Sequence, residues 1–346
     1  MLYATTRNKN DVQTAYRAIH LDCANDGGLF LPFSMPHLDA SEIQALKNHS
    51  FGDNVAKILN LFFGAGLTGW DVEFAIGRNA AQNVAINNRL VVCECWHNSH
   101  WRYDYIVQTL SDRLRKEGHG EMPTNWVRMA ISVAVLFGIY GNMLEQELVS
   151  EQTPLDLAVA VGDFSMPMAA WYAREMGLPI GNIICGCNAN GGVWELLHRG
   201  QVNTGAAAVK TSTPGCDCNL PRDLERLICG TVGEVELNRY LDSCTDGTVF
   251  QANELTFDKL RAGMFASVNS DSRVESLISN FYRTNHYVLS PYAALAYGSL
   301  TDYRAKTGES RTALVLSECS PVRDDAFVAS VMNITVPELE KILNLA

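Results

Sequence analysis

Three C-x-C pairs stand out among the ten cysteines: Cys93 with Cys95, Cys185 with Cys187, and Cys216 with Cys218. His97 and His100 follow the first pair directly. On a strand, residues i and i+2 point to the same face, so such a pair presents two sulfurs side by side. Thiolates and imidazoles gathered from separate segments suit Zn²⁺ or Fe, with His97, Cys187, Cys216 and Cys218 as candidate ligands. The spacing matches no known finger, because C-x-C stands in for C-x-x-C. The competing reading is that cysteine, one of the most often buried residue types, packs as a small hydrophobe. Cys216 and Cys218 flank Asp217 in a loop and fit that reading less readily than Cys93 and Cys185. A metal-free chemistry is also open: His97 as a base oriented by Asp104 or Asp163, or Cys187 as a thiol nucleophile beside His97.

The elements that position these residues alternate. Leu90 to Cys95, Leu157 to Val161, Asn182 to Cys187 and Thr312 to Leu316 read as apolar strands, with helices at Pro167 to Met176 and near Val193 to Arg199. This predicts a three-layer α/β protein with a mostly parallel sheet wrapped by helices. Ligands of such sheets sit at the carboxyl ends of strands, so the turns after Cys95, Val161, Cys187 and Leu316 converge on one cleft. Residues 1–90 read as a helical and loop-rich N-terminal region, and residues 91–346 as the α/β body. The longest apolar run, Met129 to Tyr140, is too short to span a bilayer and reads as a buried helix.

Bulk properties narrow the function classes. In 346 residues, 47% hydrophobic and 19% charged, there is material for a sizeable core and little for long disordered tails. The formal charge of −11 argues against general affinity for nucleic acid or an anionic membrane. With 19 Arg against 8 Lys, local pockets for carboxylate or phosphate groups remain available. No secretory pattern opens the sequence, which predicts a cytoplasmic chain with reduced thiols.

Six short motifs, in order from residue 3 to residue 323, resemble the threonine synthase family. Tyr3-Ala4-Thr5-Thr6-Arg7 and Asp26 to Pro32 look like its opening signature, and Asn125-Trp126-Val127-Arg128 like its N-W-x-R segment. Ala173 to Pro179 with Cys187 to Asn190 is similar to "AKxMGLP … TNxN". Thr211 to Leu227 is similar to "TLSPSMDIxxPSNFERL", and Ser317 to Arg323 to "STAHPAK". The resemblance implies a fold-type II pyridoxal phosphate scaffold and a homodimer. It also implies a pocket for a small amino-acid-like substrate, to which Asn125, Arg128, Asp163, Asn188 and Glu318 contribute.

Four departures from that pattern concern the cofactor. The family lysine in "FHGPTLAFKD" falls on Asp104, and a carboxylate cannot form an imine. The phosphate turn "GNFGN" becomes Gly162-Asp163-Phe164-Ser165-Met166, with a negative charge where the anion belongs. The small lobe shrinks to a remnant at residues 105–125. The threonine of "STAHP" aligns with Glu318. Pyridoxal phosphate is therefore not expected. The sequence reads as an enzyme repurposed for chemistry independent of that cofactor, with Zn or Fe as a candidate metal. The alternatives are a non-catalytic binding protein and a residual lyase that holds pyridoxal phosphate non-covalently or through Lys210.

Overall fold

The computed structural model describes residues 1–78, 80–96, 103–115, 122–150 and 153–343, Asp104 as backbone only. The N-terminal strands β1 (Leu2–Thr5), β2 (Gln13–Thr14) and β3 (Phe30–Pro32) form a small antiparallel sheet in the order β2-β1-β3. β4 (Gln82–Asn87), β5 (Leu90–Glu94), β6 (Leu155–Ala160) and β7 (Ile180–Cys187) belong to the main sheet. β8 (Gln201–Asn203) and β9 (Val249–Gln251) pair as a separate ribbon. β10 (Met264–Val268) and β11 (Ala313–Ser317) complete a six-stranded sheet in the order β10-β7-β6-β11-β5-β4. All its pairs are parallel except β4 with β5.

The strand alternation divides the core in two. Val91, Cys93, Leu157, Val159, Ile183, Cys185, Cys187 and Leu316 face one apolar layer, while Leu90, Val92, Ala158, Ala160, Ile184 and Val315 face the other. Helices cover both faces, so the inner strands are buried on both sides, as parallel strands require. The first layer is centred on the helix Trp126–Glu145, which packs against the helices Phe51–Phe63 and Ser165–Glu175. That helix is 20 residues long and apolar enough to cross a membrane, yet it lies almost wholly inside the protein. The second layer is built on the helix Pro291–Thr307, which crosses β6 and β7. Among the described residues, one helix, Tyr103–Arg115, stands between β5 and Trp126–Glu145.

The N-terminal sheet is fixed to the body by a seam of ions. Glu225 receives Arg7 through two bonds of 3.1 Å, and it also accepts the Thr6 hydroxyl. Arg226, buried beneath, donates to the Phe30 carbonyl at 3.1 and 3.2 Å, to the Thr124 carbonyl at 2.7 Å, and to Asp223. Its guanidinium lies 5.8 Å from the Trp126 ring centre, within cation–π reach.

Candidate functional site

A cavity of about 200 Å³ opens where the carboxyl ends of β6 and β11 meet the helices Trp126–Glu145, Tyr103–Arg115 and Pro291–Thr307. Among the described residues its charged lining is Arg128, Asp163, Glu318 and Arg323. Its polar lining includes Tyr103, Ser132, Ser165, Tyr292, Cys216 and Cys319. The strand-end rule explains the location: β6 delivers Ala160, Gly162 and Asp163, and β11 delivers Glu318 and Cys319. Arg128 and Ser132 lie one turn apart on the central helix and share the cavity-facing side.

Fixed polar contacts hold the walls. The Tyr103 hydroxyl donates to Ser132 Oγ at 2.9 Å, and the Tyr103 amide donates to the Glu318 carbonyl at 2.8 Å. The Tyr292 hydroxyl accepts the Gly215 amide at 3.2 Å. Burial pushes the Tyr292 phenol up to about 12, and drives the Tyr103 phenol well above its ordinary value. Arg323 Nη1 donates to Cys319 Sγ at 3.1 Å. At the foot of the helix Ser165–Glu175, Asp163 Oδ1 accepts the Ser165 amide at 2.9 Å. Phe164 between them sits at φ 68°, a left-handed conformation that costs a non-glycine residue about 1–2 kcal/mol.

Arg128, Asp163, Glu318 and Cys216, all singled out from sequence, are brought together here. Others are placed differently. Asn125 is a structural cap: its Oδ1 accepts the Val127 amide at 2.8 Å, and its amide nitrogen donates to the carbonyls of Ala18, Ile19 and Leu21. Asn188 is a latch, buried and donating to Thr211 Oγ1 and Asp217 Oδ1, each at 2.8 Å. Neither lines the cavity. Cys187 is also absent from its lining. It faces the apolar layer with Cys93, Cys95 and Cys185, and burial pushes its thiol up to about 12, which favours the neutral form over a nucleophilic thiolate.

The paired sulfurs share a face, with Cys93 and Cys95 Sγ 3.7 Å apart, but that face is core rather than cleft. Among the described residues no three His, Cys, Asp or Glu side chains are placed to hold a metal; of the ligand set expected from sequence, Cys187, Cys216 and Cys218 are described and His97 is not. His97 and the Asp104 side chain lie outside the described residues. Lys210 is exposed in the loop after β8, and no lysine is among the described residues lining the cavity. Tyr292 escaped the sequence reading, which names Ser165 in the turn and spans Cys319 and Arg323 in a motif without giving any of them a lining role. Cys319 and Arg323 could have been found by extending the strand-end rule a few residues past Glu318.

The fold is that of threonine synthase, an α/β scaffold of fold-type II. The protein superposes on a crystal structure described as pyridoxal-phosphate-bound threonine synthase from Brucella melitensis, with TM-score 0.86 and 17% identity, covering 96% of this chain and 92% of that one. Yeast threonine synthase superposes with TM-score 0.81 and 16% identity, over 100% of this chain and 94% of that one. In sequence, residues 2–78 match the family model described as the threonine synthase N terminus. A relative described as threonine synthase-like 1, from Macaca fascicularis, is 28% identical over 178 residues, which is 50% of this chain and 24% of the relative. The chain thus spans about a quarter of the length of the first curated relatives it matches. Its N-terminal residues in sequence and its fold in structure are thus both similar to threonine synthase.

Proposed function

We propose that the cavity binds a small amino-acid-like molecule and acts on it without a lysine-held pyridoxal cofactor. The observation that carries this reading is the lining itself: two guanidiniums and two carboxylates around about 200 Å³. That volume is below the roughly 300 Å³ at which pockets begin to hold drug-sized ligands. A zwitterion of a few heavy atoms matches both its size and its mixed charge. Arg128 and Arg323 offer forks for a carboxylate, while Asp163 and Glu318 offer acceptors for an ammonium group.

The residues present do not fit lysine-held pyridoxal phosphate. The position expected for the imine lysine is Asp104, and none of the described lining residues supplies an amine. Asp163 already holds the Ser165 amide at the helix N-terminus, where a phosphate would need that donor. For a ligand held non-covalently, Glu318 and Asp163 are the groups available to hold or move a proton.

Calorimetric titration with small L-amino acids such as L-serine, L-threonine and L-homoserine tests the reading. Saturable binding of at least one is expected, with Arg128→Met weakening it about 10- to 100-fold, the range for losing a charged hydrogen-bond partner. If no such amino acid binds even at millimolar concentration, or if Arg128→Met leaves binding unchanged, the reading is wrong.

A further inference from the structure

We propose that Asp163 is a resident anion: its carboxylate occupies the N-terminus of the helix Ser165–Glu175, so the cavity accepts an unphosphorylated zwitterion and rejects phosphate-bearing ligands. The zwitterion half of this statement rests on the function proposed above. The rejection of phosphate rests on the loop alone.

A helix N-terminus attracts anions because its first amides have no intrahelical acceptor and its dipole is positive there. In this 11-residue helix one of those donors, the Ser165 amide, is already bonded to Asp163 Oδ1 at 2.9 Å. The bond closes within the loop, so it forms whether or not a ligand is present. There is room at the turn: a Cβ built on Gly162, at φ +50°, would meet nothing within 4 Å. Glu318 adds a second carboxylate to the same lining. A phosphate group entering here meets a fixed like charge and loses an amide donor, whereas an ammonium group meets an acceptor. Arg128 and Arg323 line the same cavity.

The test is calorimetric titration of inorganic phosphate into three folded proteins at fixed ionic strength: the wild type, Asp163→Asn, and Asp163→Asn with Ser165→Gly. The asparagine amide oxygen can still accept the Ser165 amide, so the loop is preserved in the single variant, and melting temperatures check that each protein is folded. The second variant also clears side-chain bulk from the turn. The wild type is expected to bind phosphate at least about 10-fold more weakly than the double variant, with the single variant between them. Equal phosphate affinity in all three overturns the proposal, as does wild-type binding tighter than either variant. The amino-acid titration is read separately. A gain of phosphate binding in variants of a protein that binds no amino acid upholds the resident anion and removes only the zwitterion half.

Discussion

Two groups of arginines and carboxylates serve this molecule in different ways. At the seam, Arg226 is 1% exposed, and all three of its guanidinium nitrogens donate, to Asp223 and to the carbonyls of Phe30 and Thr124. Around the cavity, Arg128, Asp163, Glu318 and Arg323 border open space. The residue types are the same, and enclosure separates the roles. Charges enclosed by the protein hold elements together, whereas charges that border a space can be reached by a ligand.

The comparison breaks most readily at Arg226. Arg226→Met leaves Asp223 buried without its guanidinium and frees two carbonyls, which is expected to cost about 3–5 kcal/mol by denaturant unfolding. Adding Asp223→Leu should recover much of that loss, because the stranded charge is removed with its partner. A loss under about 1 kcal/mol for Arg226→Met would mean the seam does not secure the N-terminal sheet. The cavity should behave in the opposite way: Arg323→Met is expected to change unfolding stability by less than about 1 kcal/mol while weakening amino-acid binding.

The comparison sharpens with pH. Burial, only partly offset by Arg226, raises the Asp223 carboxyl to about 6 from the usual 3.8. Between those two values the folded chain holds the proton and the unfolded chain has released it. The contribution of this group to stability is therefore full below the lower value and is lost as pH rises through the upper one. Melting temperature should fall between about pH 4 and about pH 6, and Asp223→Asn should flatten that part of the profile. An unchanged slope in the variant would assign the dependence to other groups.

How far this was legible in the sequence can be traced through one motif. Asn125-Trp126-Val127-Arg128 pointed to a substrate pocket, yet Asn125 caps a helix, Trp126 is core, and Arg128 alone of the four lines the cavity. A motif records that residues occur together, whereas their roles depend on which way each side chain turns. The inner strands were legible because continuous apolar runs identify strands buried on both faces. β4 was absorbed into the N-terminal region because, as an edge strand, it alternates partly buried with exposed residues and carries no apolar run. β10, Met264–Val268, was missed although it matches β5 and β11 in length; Ser267 interrupts its apolar run. The strand-end rule found the cavity correctly for β6 and β11. It failed for β7, whose exit turn is sealed by Asn188, Thr211 and Asp217.

The smallest expected effect lies with the cysteines, where burial again decides. Cys187→Ser places a hydroxyl in an apolar layer where the thiol packed as a hydrophobe, and should cost about 1–3 kcal/mol. Cys218, half-buried in a loop, should tolerate the same exchange within about 0.5 kcal/mol. If Cys218 instead served a metal, serine would remove a thiolate ligand, lowering the metal content of protein purified without a chelating tag and with it the stability. A Cys218→Ser protein with unchanged melting temperature and unchanged zinc and iron content would place this residue with the packing cysteines. A marked loss of both would reinstate a metal site completed by residues beyond those described, His97 first among them.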